Sequence, residues 1–255
     1  MSKIAFITGA TSGFGKACAE KFASHGYDLI INGRRQDRLA TLAEELEQQH
    51  KVVIFQLPFD VRDEKAVFNS IESLPYEWRG IDVLINNAGL ALGRDYFDEA
   101  SLEDWNTMID TNVKGFLYVA KAVSQLMAIR KQGHIINMGS VAGKQVYEKG
   151  NAYCATKFAV DALNQAMRID LLRHNIKVTG IHPGAAETEF SMVRFKGDTQ
   201  TASSVYQGLH ALSATDVADV IYYCASLPPH VCINDLVLTC TQQADAIYFH
   251  RQLGG

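Results

Sequence analysis

The most constraining feature of this chain is an alternation that runs from one end to the other, in which short β-type apolar runs are separated by stretches of helical periodicity. Strands are expected at Lys3 to Thr8, Asp28 to Asn32, Val52 to Leu57, Ile81 to Ile85, His134 to Met138, Lys177 to Ile181 and Leu236 to Cys240. Helices are expected at about 14–25, 36–49, 63–73, 101–130, 151–173 and 214–227. Several of the strand runs are almost wholly apolar, as strands covered by helices on both faces must be. Right-handed crossovers between parallel strands then give a doubly wound α/β sheet of seven strands with helices on both faces. A chain of 255 residues with 47% hydrophobic content can bury one sizeable core, so a single domain spanning 1–255 is expected.

In such sheets, ligands sit beyond the carboxyl ends of the strands. The residues of chemical interest in this chain do follow strands: Gly9 to Gly15, Gly33 to Arg35, Asp60, Asn86 to Gly89, Ser140, and Pro183 with Gly184. The first group reads Thr8-Gly9-Ala10-Thr11-Ser12-Gly13-Phe14-Gly15 and leads into a helix through Lys16 and Ala17. Its glycines permit a tight turn and close backbone approach, and the helix N-terminus offers free N–H groups to a pyrophosphate. The spacing G-x-x-x-G-x-G differs from the common G-x-G-x-x-G fingerprint, and a glycine-rich turn also serves plain chain reversal. A nucleoside-triphosphate P-loop fails on two residues: Ala10 stands where its first glycine belongs, and Ala17 leaves no hydroxyl for magnesium.

After the second strand come Arg34 and Arg35, where an enzyme using NAD places Asp or Glu on the ribose 2′-hydroxyl. Two guanidinium groups there favour the 2′-phosphate of NADP(H), which a carboxylate would repel. The bland alternative is that both arginines merely open a solvated helix.

Tyr153 and Lys157 are four residues apart, hence on one face of a helix a single turn apart. A phenol of pKa ~10 is a poor base at neutral pH, and a drop of about three units, or about 4 kcal/mol, would need nearby positive charge. Lys157 supplies one cation and an oxidised nicotinamide another. An isolated Y-x-x-x-K would ordinarily be an exposed pair. Ser140 changes the balance, because it ends the strand from His134 and so faces the same crevice, where its hydroxyl can hold a substrate oxygen against Tyr153. Ser140 as a nucleophile is disfavoured, since no His and Asp pair is placed to activate it.

These segments, with Asp60-Val61, Asn86-Asn87-Ala88-Gly89, Asn112 and Tyr153-Cys154-Ala155-Thr156-Lys157, resemble the short-chain dehydrogenase/reductase family over essentially the whole chain. The resemblance implies a Rossmann-type fold with a dinucleotide-binding part over about 1–140 and a catalytic helix and substrate lid over about 141–255. It further implies that Asn112, Ser140, Tyr153 and Lys157 are catalytic, with Asn112 bending its helix and holding a water that links Lys157 to solvent. Cofactor contacts are implied for Gly9, Thr11, Ser12, Gly13, Phe14, Gly15, Arg34, Arg35, Asp60, Val61, Asn86, Ala88, Gly89, Tyr153, Lys157, Pro183, Gly184 and Thr188. Asp60 and Val61 would lie beside the adenine, and Pro183, Gly184 and Thr188 would close over the nicotinamide. Hydride would pass between nicotinamide and substrate carbon while Tyr153 gives or takes the hydroxyl proton.

Within the family the chain is similar to the NADP-dependent 3-hydroxy acid dehydrogenases, also described as serine or allo-threonine dehydrogenases. That narrower resemblance rests on Asn87 to Gly93, Met108 to Asn112, Thr188 to Ser191, Val193 to Asp198, Leu227-Pro228 and His230-Val231. It implies a small acid with a hydroxyl at C3, such as serine, 3-hydroxyisobutyrate or 3-hydroxypropionate. A small carboxylate needs a cation, for which Arg194 is the first candidate and Lys196 the second. Gln145, Tyr147 and Ser140 would complete the substrate pocket with Tyr153. The tail Phe249 to Gln252 would reach a neighbouring subunit's site or else fray. Relatives form homotetramers by pairing long helices, and Phe158, Ala159, Ala162, Leu163 and Ala166 suit either such pairing or packing on the sheet. Two alternatives stay open: a carbonyl reductase for another substrate such as a 3-ketoacyl thioester, and a non-catalytic NADP-sensing protein.

A net charge of -4 and a pI near 6.1 argue against nucleic-acid or membrane-surface partners and for small-molecule chemistry. The apolar run ending at Thr8 is too short for an export signal or a membrane span. Cys18, Cys154, Cys224, Cys232 and Cys240 are odd in number and lack a C-x-x-C pair, which points to cytoplasmic thiols with no disulfide framework and no metal site.

Overall fold

The computed structural model describes residues 2–252. Its seven strands are β1 (Ile4–Ile7), β2 (Asp28–Gly33), β3 (Ile54–Pro58), β4 (Ile81–Asn86), β5 (Gly133–Met138), β6 (Ile176–Pro183) and β7 (Asp235–Leu238). They form one sheet in the order β3-β2-β1-β4-β5-β6-β7, every pair parallel. The expected Rossmann-type doubly wound sheet is therefore present, with strand ends within a few residues of the sequence reading.

Period-two alternation divides the strands between two cores, one on each face of the sheet. Ala5 and Ile7 of β1 join a cluster with Phe22, Leu39 and Val217 from the helices on one side. Phe6 joins another with Val67, Val119 and Val123 on the opposite side. All of these side chains are fully buried. Each such residue contributes about 1.5–3 kcal/mol by leaving water, which makes both faces of the sheet hard to unpick. A third, smaller cluster holds Ala91, Met108, Ala142, Tyr153 and Cys154 above the strand ends.

The helices are α1 (Gly13–Ala23), α2 (Gln36–His50), α3 (Glu64–Glu72), α4 (Leu102–Ile109), α5 (Phe116–Arg130), α6 (Asn151–Leu171), α7 (Glu189–Arg194), α8 (Thr199–Ser204) and α9 (Ala214–Ser226). The expected helix over 101–130 is interrupted: α4 and α5 are joined by a π-helical turn over Asp110–Gly115. Asn112 lies in that turn, and its side chain bonds to the backbone of Leu90, which opens the helical ladder locally. The six-residue helices α7 and α8 were not anticipated. On α6, Phe158, Ala162 and Ala166 face outward, so they do not pack on the sheet. None of the described helices is long and apolar enough to cross a membrane. The five cysteines are free thiols; Cys18, Cys154, Cys224 and Cys240 are buried and Cys232 half-buried.

Candidate active site

The strand order reverses between β1 and β4, and in doubly wound sheets the crevice opens at that switch. The loop Thr8 to Gly15 leaves β1 there. Gly9 and Gly13 have φ of 65° and 52°, which glycine alone adopts freely. A Cβ on Gly15 would run into the carbonyl of Gly9, so the first turn of α1 lies tight against the loop. Ser12 caps α1 without using its side chain, and the first turn carries no acidic residue. This cradle of N–H groups fits a pyrophosphate. Thr8 fastens the loop to the neighbouring strand end: its hydroxyl accepts from the N–H groups of Asn87 and Ala88 at 2.9 and 3.0 Å.

At the end of β2, Arg35 caps α2 and its guanidinium donates to Thr11 Oγ1 at 3.4 Å. Arg34 lies 3.9 Å from Asp60. Burial pushes the Asp60 carboxyl up, but hydrogen bonds from Arg62, with the charges of Arg62 and Arg34, hold it below its ordinary value. Arg62 reaches Asp60 through Nε and Nη2, the latter at 2.6 Å. Two arginines therefore flank one carboxylate, with Arg35 on the neighbouring Thr11, leaving a net positive pocket that fits a phosphate better than a bare ribose hydroxyl. Val61 packs against Gly115 of the π turn. Asn86 ends β4 at the crevice, and its buried side chain donates to the carbonyl of Phe116 at 3.0 Å, tying β4 to α5. Gly89 stays close to the centre, where an added Cβ would lie 3.2 Å from Asn112 Oδ1 and 3.8 Å from Lys157 Nζ.

Beyond β5 and β6 opens a cavity of about 570 Å³, lined by Phe14, Ser140, Tyr147, Tyr153, Pro183, Gly184, Thr188 and Arg194 among others. Tyr153 is buried and lines this cavity together with Ser140. Ser140 caps the short helical turn Val141–Gly143, its Oγ accepting from Ala142 N at 3.1 Å. Lys157, one turn along α6, donates to the carbonyl of Met138 at 2.9 Å and lies 5.9 Å from the centre of the Tyr153 ring. Burial pushes Tyr153 well above its ordinary value, and Tyr147 adds to the rise, while Ser140 and Arg194 pull against it. Burial also brings Lys157 down to about 8.

Arg194, at the end of α7, donates through Nε to the carbonyl of Gly93 at 3.2 Å and through Nη1 to the hydroxyl of Tyr147 at 3.1 Å. Its Nη2 is buried and unpartnered, and it forms no ion pair among the described residues. Its guanidinium centre stands 5.5 Å from the ring centre of Tyr153. An unpaired guanidinium nitrogen buried in a cavity calls for an anion.

Two substrate candidates are placed elsewhere. Lys196 leaves the crevice for Asp104, 2.9 Å away, because the turn after α7 carries it to the surface. Gln145 turns its amide toward the carboxylate of Asp245 at 3.3 Å and does not line the cavity. The Asn112 amide is engaged by Leu90 N and O, at 2.9 and 2.7 Å, and by the Thr156 hydroxyl at 3.1 Å. Its side chain thus braces the π turn, with both amide N–H groups engaged and one lone pair of Oδ1 still open. The C-terminal segment, expected at a neighbour's site or frayed, folds back over its own chain, with Phe249 and Arg251 lining this cavity. Arg251 donates to the carbonyls of Val205 and Gln207, the latter at 2.6 Å.

Against this geometry, the short chain dehydrogenase family model matches residues 3–199. The chain belongs to the short-chain dehydrogenase family. Members similar to it include the NADP-dependent 3-hydroxy acid dehydrogenase YdfG of Escherichia coli (strain K12), 46% identical over 98% of this chain and 100% of that enzyme. Another is sulfoacetaldehyde reductase 2 of Chromohalobacter salexigens, 46% identical over 96% of both chains. Among solved structures, the closed form of serine dehydrogenase complexed with NADP+ aligns with a TM-score of 0.90 and 46% identity, over 98% of this chain and 100% of that one. As a short-chain dehydrogenase the chain is an oxidoreductase.

Three site residues escaped sequence reasoning. Arg62 falls after a strand, two residues beyond Asp60, and its charge was the available signal. Gln243 lies beneath Gly184, accepting from Ala185 N at 2.7 Å and bonding back to Asp245 O at 2.8 Å. Phe190 sets its ring 5.7 Å from that of Tyr153. Nothing local marks either of the last two.

Proposed function

We propose that this protein is an NADP-dependent oxidoreductase that moves a hydride between nicotinamide and the C3 hydroxyl or carbonyl carbon of a small 3-hydroxy acid. The observation that carries the substrate class is the buried, unpartnered Nη2 of Arg194 beside Tyr153. Tyr147 accepts from Arg194, so its own O–H remains free to donate, and the pair offers an anion two donors. An anion held there, with a hydroxyl at Tyr153, describes a substrate whose charge stands one carbon away from the carbinol carbon.

NADP(H) fits the cradle of Gly9 to Gly15, with Arg34 and Arg35 as partners for its 2′-phosphate, and when bound it supplies or accepts the hydride. The remaining work belongs to the chain. Tyr153 donates its proton to the substrate oxygen in the reducing direction and takes it back in oxidation. Burial keeps the phenol protonated at neutral pH, the form that donates. Ser140 holds the substrate oxygen against Tyr153, and Lys157, anchored on Met138, places its positive charge behind the phenol.

The kinship with a sulfoacetaldehyde reductase supports a second reading, because a sulfonate one methylene from the carbonyl presents the same anion to Arg194. Initial rates with NADP over short 3-hydroxy acids, both serine enantiomers and isethionate, and with NADPH over a 3-ketoacyl thioester, discriminate these classes. R194A is expected to raise KM for the small anions about 10- to 100-fold, the loss of one charge-assisted contact, and to leave a neutral ketone unaffected. Equal effects on anionic and neutral substrates would remove the clamp. Y153F should bind NADPH as the wild type does and lose nearly all turnover; retained turnover would remove the proton-transfer role, whereas NADPH binding with no wild-type turnover over the whole panel would leave the sensor reading standing.

A further inference from the structure

Outside the cavity, a group of four ionisable side chains, Lys144, Asp161, His182 and Asp235, lies behind Ser140. Ser140 sits between Gly139, the last extended residue after β5, and the short turn that ends at Lys144. On the first side, Gly139 N donates to Ile181 O at 2.7 Å, and a Cβ on Gly139 would run into the imidazole of His182. That imidazole is almost fully buried; its Nε2 stands 2.6 Å from Asp235 Oδ1 and 3.7 Å from Asp161 Oδ1, and neither ring nitrogen completes a well-aligned hydrogen bond. On the second side, Lys144 Nζ lies 2.8 Å from Asp161 Oδ1 and 2.8 Å from Asp235 Oδ2. Both flanks of Ser140 therefore converge on the same two carboxylates.

Those carboxylates come from different elements. Asp235 opens β7, whereas Asp161 lies on α6, four residues beyond Lys157 and eight beyond Tyr153. The cluster ties the turn that carries Ser140 to the helix that carries Tyr153. Asp161, His182 and Asp235 could together ligate a metal ion, but the Lys144 ammonium already bridges the two carboxylates, so the group is an ion-pair network. Asp161 at 16% exposure and His182 at 1% are shielded from water, whereas Asp235 at 41% sits at the open edge, so screening weakens the Asp235 side of the group more than the Asp161 side.

We infer that Lys144, Asp161, His182 and Asp235 form a charged staple whose function is to fix the Ser140 hydroxyl against Tyr153. These are positioning residues, since none lies among those lining the cavity. The inference rests on the reading that Ser140 holds the substrate oxygen. A hydroxyl displaced by a fraction of an ångström loses alignment with the phenol and the carbinol carbon together, which slows turnover and leaves the dinucleotide cradle untouched.

The test is a steady-state comparison of K144M, K144R, H182Q, the double variant K144M/H182Q and S140A with NADP and the best hydroxy acid of the panel. K144M and H182Q are expected to lower kcat about tenfold with KM for NADP within about twofold, since only the chemical step is misaligned. K144R should restore most of the rate, and the double variant should be no worse than the poorer single one, because both break one device. If H182Q does not fold, D235N replaces it in the same cycle. Wild-type kcat in K144M, losses that multiply in the double variant, or a shift confined to KM for NADP would each overturn the staple. S140A separates the two levels: full turnover there removes the serine's role itself, whereas an inactive S140A beside a fully active K144M removes only the staple.

Discussion

Lys157 shows most sharply how this site trades stability for chemistry. An ammonium that water would hold near pKa 10.5 is buried and brought down to about 8, with one carbonyl, Met138 O, as hydrogen-bond partner. Between about pH 8 and 10.5 the unfolded chain keeps a proton that the native chain has released, so folding stability from this group rises with pH through that window. Below pH 8 both states are protonated, and the full penalty of roughly 3 kcal/mol applies to the native state. K157M, with a side chain of similar length and no charge, should therefore melt above the wild type at pH 7, the gap closing as pH is raised toward 10. Circular-dichroism melts of the two proteins from pH 6 to 10 measure this; a lower melting temperature for K157M at pH 7 would show that the lost bond to Met138 outweighs the relieved desolvation. The same variant should be nearly inactive, since the phenol loses the cation behind it.

The C-terminal segment is the element whose role differs most from expectation. It lies across the loop that follows α8: Arg251 holds the carbonyls of Val205 and Gln207, Gln252 N donates to Gly208 O, and Phe249 forms a wall of the cavity. A chain ending at Ala246 should lose about tenfold in kcat/KM for the small acid and gain activity on bulkier ketones, with NADPH affinity held, as for other lids that close a pocket. An unchanged ratio between small and bulky substrates would reduce the segment to a surface trimming. The strands and long helices were legible beforehand because each buries a periodic apolar face, and the glycine loop, Ser140, Tyr153 and Lys157 because each follows a strand or sits a helical turn from its partner. What was illegible depends on contacts far apart in the chain. The π turn exists because Asn112 reaches Leu90, and α7 and α8, too short for periodicity to register, start where Thr188 and Asp198 accept backbone N–H bonds in a lid placed by the rest of the fold. Arg194 stood ahead of Lys196 as the carboxylate partner in the sequence, and the turn after α7 separates them by sending Lys196 to Asp104 and Arg194 into the cavity.

Across the whole molecule, the order β3-β2-β1-β4-β5-β6-β7 puts two electrostatically distinct pockets at opposite ends of one crevice. The ends of β2 and β3 present Arg34 and Arg62 at Asp60 and Arg35 at Thr11, whereas the ends of β5 and β6 present Ser140 and lead to Arg194. Two strands, β1 and β4, separate them, and no ion pair or hydrogen bond links Arg34 or Arg35 to Arg194 among the described residues. Cofactor choice and substrate choice are then independent quantities on one scaffold. Replacing Arg34 and Arg35 by serine removes two charge-assisted contacts, about 3 kcal/mol, and should raise KM for NADPH roughly 100-fold while moving KM for NADH little. Distant sites with no shared partner add, so combining these changes with R194A should give a kcat/KM deficit equal to the product of the separate deficits. A deficit clearly smaller than that product, measured with NADPH at saturating and limiting substrate, would mean that the two arginine pockets communicate through the lid, because α7 carries Arg194 at one end and, at the other, Glu189 within 3.5 Å of Arg38 on the cofactor side.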